Sequence, residues 1–224
     1  MTIAPLSADT AAIVAQFGGQ QQSTVDMMIG VGVVKDSEAV YFKYEGDDQT
    51  TALVQASGKP VTRIGNVRLT GLTIDSDVYK EAGFDGSKLN VFLQTQQGTT
   101  VLLTSGLTTI WSQCLITSLM GLYAANGMDH MIAIDTWKGT SKMRPCFAAV
   151  RDGAVKVSND DVYDALKEAR SDRDKVKVEA IMRDSIEMLA AALNVVETEV
   201  EMIENDNEVI ARATVNAEAQ VNEF

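Results

Sequence analysis

Forty consecutive residues, 89–128, carry no charged side chain, in a chain where charged residues make up 22% of the total. A run of that length has two destinations, a bilayer or a protein interior. A membrane-spanning helix needs about 20 predominantly apolar residues flanked by interfacial charges. Here Gln94, Gln96, Gln97, Gly98, Gly106, Ser112, Gln113 and Gly121 break the run, and threonines are scattered along it. The stretch is therefore expected to supply strand and helix to the buried centre of a globular fold, with no membrane association.

The charges that are absent there collect elsewhere. Up to Val157 the chain has 12 Lys/Arg against 14 Asp/Glu, whereas Ser158 to Phe224 has 7 against 17. Nearly all of the formal charge of −12 lies in the last third. Such a segregated acidic region can lie over cationic surface on the body or offer itself to a partner. The expected organisation is an N-terminal helix and linker over 1–22, a β-rich domain over 23–157, and an acidic helical region with a mobile tail over 158–224. With 46% hydrophobic residues the composition is globular. Cys114 and Cys146 belong to no CxxC or Cys/His cluster, and read as buried, reduced thiols of a cytoplasmic protein. The first nine residues lack the basic and apolar regions of a secretory signal.

Period and punctuation supply the elements. Ser7 caps a short helix over Ala8–Phe17 that Gly18-Gly19 ends. The pattern then changes to short strands over 25–34, 39–45, 50–55, 61–64, 66–74 and 89–94, and 99–103 folds back on 89–94 across Gln96-Gln97-Gly98. Apolar positions from Leu107 to Tyr123 keep helical spacing, and the polar residues between them are uncharged, chiefly Thr and Ser, so that helix is expected to be buried on most sides. A second hairpin, 131–137 with 143–150, and a short strand over 155–157 complete the body. The fold class is mainly β with an inserted helix. An OB-like small barrel or a sandwich fits this order of elements, and an acidic helical C-terminal region follows it. In that region a helix runs over 160–170. A second, from 175 to about 204, carries Met182, Ile186, Leu189, Leu193, Val196, Val200 and Ile203 at alternating spacings of four and three. This seam either lies on the body or serves as a coiled-coil contact.

Catalytic signatures are missing. The single His130 has no nucleophile or second ligand in a recognisable frame. Asp47-Asp48 and Asp75-Ser76-Asp77 lack the spacing of a calcium loop and suit turns. Gly30 and Gly32 lack a third glycine and a following helix for phosphate. The chain is expected to be no enzyme and to use no metal or cofactor. A small-molecule or metal-binding module would instead need a polar pocket around Asp129, His130 and Asp135.

Nucleic-acid binding has more behind it. Single-strand binders place aromatic faces beside cations, and this body interleaves the two. Tyr41-Phe42-Lys43-Tyr44 is one such cluster, and strand alternation puts Tyr41 and Lys43 on one face. Trp137-Lys138, Lys142, Arg144 and Phe147 form another in a stretch without acids, and Arg63 and Arg68 flank the strand pair 61–64 and 66–74. Trp137 and Phe147 serve either as stacking platforms or as barrel filling. The assignment gives base stacking to Tyr41, Trp137 and Phe147, and phosphate contacts to Lys43, Arg63, Arg68, Lys138, Lys142 and Arg144.

This layout resembles the single-stranded DNA-binding proteins of phage and bacterial replication, in which an OB-like domain precedes an acidic C-terminal tail ending in Phe. The resemblance implies a single-stranded DNA-binding accessory protein of replication or recombination in bacterial or phage-infected host cytoplasm. It implies that Glu223 and Phe224 engage replication or recombination proteins, and that the tail competes with DNA for the groove. The heptad seam suggests a homo-oligomer. An alternative is an oligomeric structural or assembly protein, such as a virion or tail component, that self-associates through the same seam.

Overall fold

The computed structural model describes residues 25–33, 37–44, 50–76, 86–141 and 144–194. Its strands are β1 (Met27–Val31), β2 (Tyr41–Tyr44), β3 (Thr50–Ala52), β4 (Arg63–Asp75), β5 (Lys88–Thr95), β6 (Thr100–Gly106), β7 (Met131–Lys138), β8 (Cys146–Asp152) and β9 (Val155–Lys156). Helix α1 (Ile110–Asn126) lies between β6 and β7, and α2 (Asp160–Ser171) follows β9. A third helix, α3, covers 175–194. The helix expected over 8–17, the far half of the heptad seam and the C-terminal tail lie outside the described residues.

All nine strands belong to one sheet, in the order β3-β2-β1-β6-β5-β4-β7-β8-β9. Neighbours are antiparallel except β1 and β6, whose parallel register runs from Met27↔Val101 to Gly30↔Thr104. This pairing explains the charge-free run. It puts the β5–β6 hairpin in the middle of the sheet, and every residue of β6 from Thr100 to Ser105 is buried. Helix α1 packs mainly on β8 and is covered from behind by α2. Trp111, Leu115, Ile116, Leu119, Met120 and Leu122 are buried, and so are Ser112, Gln113, Thr117 and Ser118, while the last turn from Tyr123 is exposed. Burial on every side is the expected fate of a helix with no charged face. Thr109 caps it by accepting from the Ser112 amide at 3.2 Å.

The sheet is mainly β with an inserted helix, as expected, but it does not close into a barrel and is not a two-sheet sandwich. Its end strands β3 and β9 do not pair with each other. Instead the sheet curls around α1. Tyr41 on β2 and Thr136 on β7 lie five strands apart in the sheet, about 24 Å at the usual strand spacing. Even so, their hydroxyl oxygens meet at 2.6 Å, and the Trp111 indole N–H donates to the same Thr136 Oγ1 at 3.0 Å. Only a strongly curved sheet brings these three groups to one buried point. The rim is joined by side chains: Lys138 donates to the Ser37 carbonyl at 2.6 Å, and Arg144 donates to both Glu38 oxygens at 2.9 and 2.5 Å.

Two glycines are required by close approach. A Cβ on Gly30 would sit 2.3 Å from the ring of Phe42, its partner across the β1–β2 ladder. A Cβ on Gly121 would sit 2.4 Å from the Ser158 backbone, where the chain crosses α1 on its way into α2. Asn159 caps that helix, its side chain accepting from the Val162 amide at 3.0 Å.

The acidic third does not stand apart in packing. Leu166 and Ala169 of α2, with Val178, Met182, Ile186, Leu189 and Leu193 of α3, belong to the same hydrophobic cluster as Leu103, Trp111 and Ile134. The near half of the heptad seam is thus buried in the chain's own core, with Met182 and Leu189 fully inaccessible. Arg183 secures α3 to the β4–β5 connection by donating to Ser87 Oγ at 3.0 Å, while Glu179 accepts from the same guanidinium at 2.7 Å.

Candidate nucleic-acid interface

Alternation along β7 decides what this surface offers. Ile132, Ile134 and Thr136 point to the core under α1, so Asp135 and Trp137 point to the opposite, outer face. Cross-strand register then adds their neighbours. Trp137 faces Phe147 on β8, Asp135 faces Arg63 on β4, and Arg151 faces Lys156 on β9.

The result is an aromatic tier beside a cationic one. The rings of Trp137 and Phe147 stack with centroids 5.9 Å apart and planes 16° from parallel. Trp137 remains 42% exposed, a large fraction for an indole. Lys156 Nζ lies 6.0 Å from the Trp137 ring, at the outer limit of a cation–π contact. One residue pair further along, Arg63 and Arg151 converge on Asp135. Arg63 Nε is 3.5 Å from Oδ1, and Arg151 Nε donates to Oδ2 at 2.5 Å. Arg151 Nη1 also donates to the Ala154 carbonyl at 3.2 Å. Two arginines thus share one carboxylate, and a lysine lies beside the exposed indole.

The structure gathers only part of the expected site here. Arg63, Trp137 and Phe147 come together. Arg68 is on the same face but pairs with Asp129 at 3.2 Å near the far end of β7. Lys138 and Arg144 are engaged at the rim, in the contacts to Ser37 and Glu38. The guanidinium beside Glu38 holds that carboxyl below its usual range, and the carboxylate raises Arg144 in turn. Lys142, Glu223 and Phe224 lie outside the described residues.

Tyr41 is corrected outright. It is fully buried, and burial pushes its phenol above the ordinary tyrosine range, so it offers no face to a base. Its neighbour Tyr44 is the exposed aromatic of β2, packed edge-to-face on Phe42 at 5.2 Å. Lys43 follows the parity of Tyr41 and faces away from the Trp137 surface. Alternation separated the two pairs correctly. Which pair turns inward depends on Val31, opposite Tyr41, and on the remote Thr136.

Arg151 and Lys156 were not anticipated. Both flank the Asp152-Gly153 turn, and only the β8–β9 register places them beside Asp135 and Trp137. A short strand directly after a cationic hairpin was the one available sign.

Other chemistry finds no support among the described residues. Asp129, His130 and Asp135 diverge: the carboxylates take separate arginines, and His130 Nε2 lies 2.7 Å from the Asn126 carbonyl. No group of three potential metal ligands is found among the described residues. Nor is any helix among them long and apolar enough to cross a membrane. A cavity of about 340 Å³ beside Gly121, Ser158 and Asp160 contains two carboxylates at a helix start but no nucleophile paired with a base. Comparison with family models, curated proteins and solved structures returns no match to this chain.

Proposed function

We propose that this protein binds single-stranded DNA on the outer face of β7, β8 and β9, as an accessory to replication or recombination. The supporting observation is the exposed Trp137 ring, backed by Phe147, with Lys156 beside it and Arg63 and Arg151 on Asp135 two residues along the strand. Unpaired bases present both faces for stacking, and an aromatic on an open sheet surface is a known way to receive them. Cations beside the ring suit the phosphate that every stacked base carries with it.

The formal charge of −12 opposes any phosphate ligand. Its distribution limits the damage, because among the described residues Asp135 is the one carboxylate paired within this tier of the outer face. Binding is expected to be of moderate strength and to weaken steeply with salt. In this reading the segment 195–224, with Glu223 and Phe224, modulates access to the face and recruits partner proteins. Self-association is not needed for it, and the buried near half of the seam gives the assembly alternative little to use.

The test is fluorescence anisotropy of a labelled single-stranded oligonucleotide with wild-type protein and Trp137→Ala. Stacking contributes about 1–3 kcal/mol per base, so the variant should bind roughly 5- to 150-fold more weakly, with a nearly unchanged melting temperature. Equal affinity of the two proteins would remove Trp137 as the platform. No binding by the wild type would end the proposal.

A further inference from the structure

We infer that Arg63 and Arg151, held by Asp135, form a seat for one phosphate of the bound strand. This inference rests on the single-strand reading above and specifies how that site takes its ligand. Both guanidiniums meet the same carboxylate, Arg151 hydrogen-bonded to Oδ2 and Arg63 ion-paired with Oδ1 at 3.5 Å. They therefore lie within about 8 Å of each other, close enough for the oxygens of a single phosphate to accept from both. Arg151 uses Nε and Nη1 internally, and Arg63 uses Nε. Among the described residues no hydrogen bond engages Arg151 Nη2 or the Arg63 Nη groups, which leaves these donors for a ligand. Both side chains are reachable, Arg63 at 54% and Arg151 at 35% exposure.

The charge count sets the stoichiometry. Two guanidiniums against one carboxylate leave a single excess positive charge, which matches one phosphodiester. The seat also has the right offset from the stacking ring. Asp135 and Trp137 are two residues apart on the same face, about 7 Å along the strand, which is comparable to the reach of a nucleotide from its phosphate to its base.

A shared seat makes a prediction that two independent contacts do not. Removing either arginine leaves the other neutralised by Asp135, so each single change abolishes the excess charge. For single strands the slope of log affinity against log salt changes by about 0.7 per phosphate neutralised. Anisotropy titrations over a salt series, with a labelled single-stranded oligonucleotide and the full chain, should show Arg63→Gln and Arg151→Gln each lowering the slope by about 0.7. The double variant, made together with Asp135→Asn so that no bare carboxylate is left, should lower it by about 0.7 as well. Trp137→Ala should weaken binding at every salt concentration without changing the slope.

A loss of about 1.4 in the double variant would mean two separate phosphates and overturn the shared seat. Unchanged slopes in both single variants would overturn it while leaving the stacking site intact. If wild-type protein does not bind, the single-strand reading itself fails and the seat falls with it. Melting curves accompany each variant. If Arg151→Gln does not fold, Arg151→Lys takes its place in the series, and an unchanged slope in Arg63→Gln still refutes the seat.

Discussion

The two tryptophans show how position on an element sets the role of a residue. Trp111 is buried against Thr136, whereas Trp137, one residue beyond Thr136, points the other way and is exposed. Thr136 itself joins three elements through one oxygen, which Tyr41 shares. Tyr41 is a neutral phenol in a site that disfavours its ionised form, and the thiols of Cys114 and Cys146 are likewise raised by burial. Each of these groups keeps its proton in the native state at a pH where the unfolded chain has lost it. Stability therefore falls as pH rises, beginning above about 8.5 for the thiols and above about 10 for the phenol. Urea midpoints at pH 7.5, 9 and 10.5 should show Tyr41→Phe less stable than wild type at pH 7.5, by about 0.5–1.5 kcal/mol for the lost hydrogen bond. That gap should narrow at pH 10.5, because the phenylalanine has no proton to lose. A constant gap at all three values would show that the phenol does not carry the alkaline sensitivity.

Among the elements, those with a strong local signal were legible. Residues 89–128 announced a buried strand and helix by having no charge, and they became the sheet centre and α1. The β5–β6 hairpin followed from Gln96-Gln97-Gly98, where Gly98 takes a φ of 81°. What failed was continuity. The strands expected over 61–64 and 66–74 are one strand, β4, because Asn66 adopts a φ of 54° and the ladder to β7 shifts there rather than ending. Helix α3 tests a different point. Its seam has coiled-coil spacing, yet Ile186 and Leu189 pack into the chain's own core. A Leu189→Ala change should lower unfolding stability by about 2–5 kcal/mol, as for a cavity in a closed interior, with no concentration dependence of the midpoint. A midpoint that rises with protein concentration would place the seam between copies of the chain instead.

At the scale of the whole molecule, the sequence supplied the inventory of strands but not their closure. The decisive pairing, β1 alongside β6, joins residues more than seventy positions apart, and a parallel contact of that range leaves no local trace. The charge boundary at 157 was legible but is not a packing boundary. Cutting after Val157 would remove Leu166, Met182, Ile186 and Leu189 from the core, so a body ending there is expected not to fold. Cutting after Asn194 is different, because every described element is retained. It removes eight acids and one arginine, more than half of the net −12. If that segment competes for the outer face, the 1–194 chain should bind a single-stranded oligonucleotide more tightly than the full chain at low salt. The advantage should shrink as salt screens the repulsion, since the Debye length falls from about 30 Å at 0.01 M to about 10 Å at 0.1 M. Both chains should melt at similar temperatures. Equal affinity at 0.01 M salt would show that the acids of 195–224 do not reach the cations around Trp137, leaving recruitment of a partner as their remaining use.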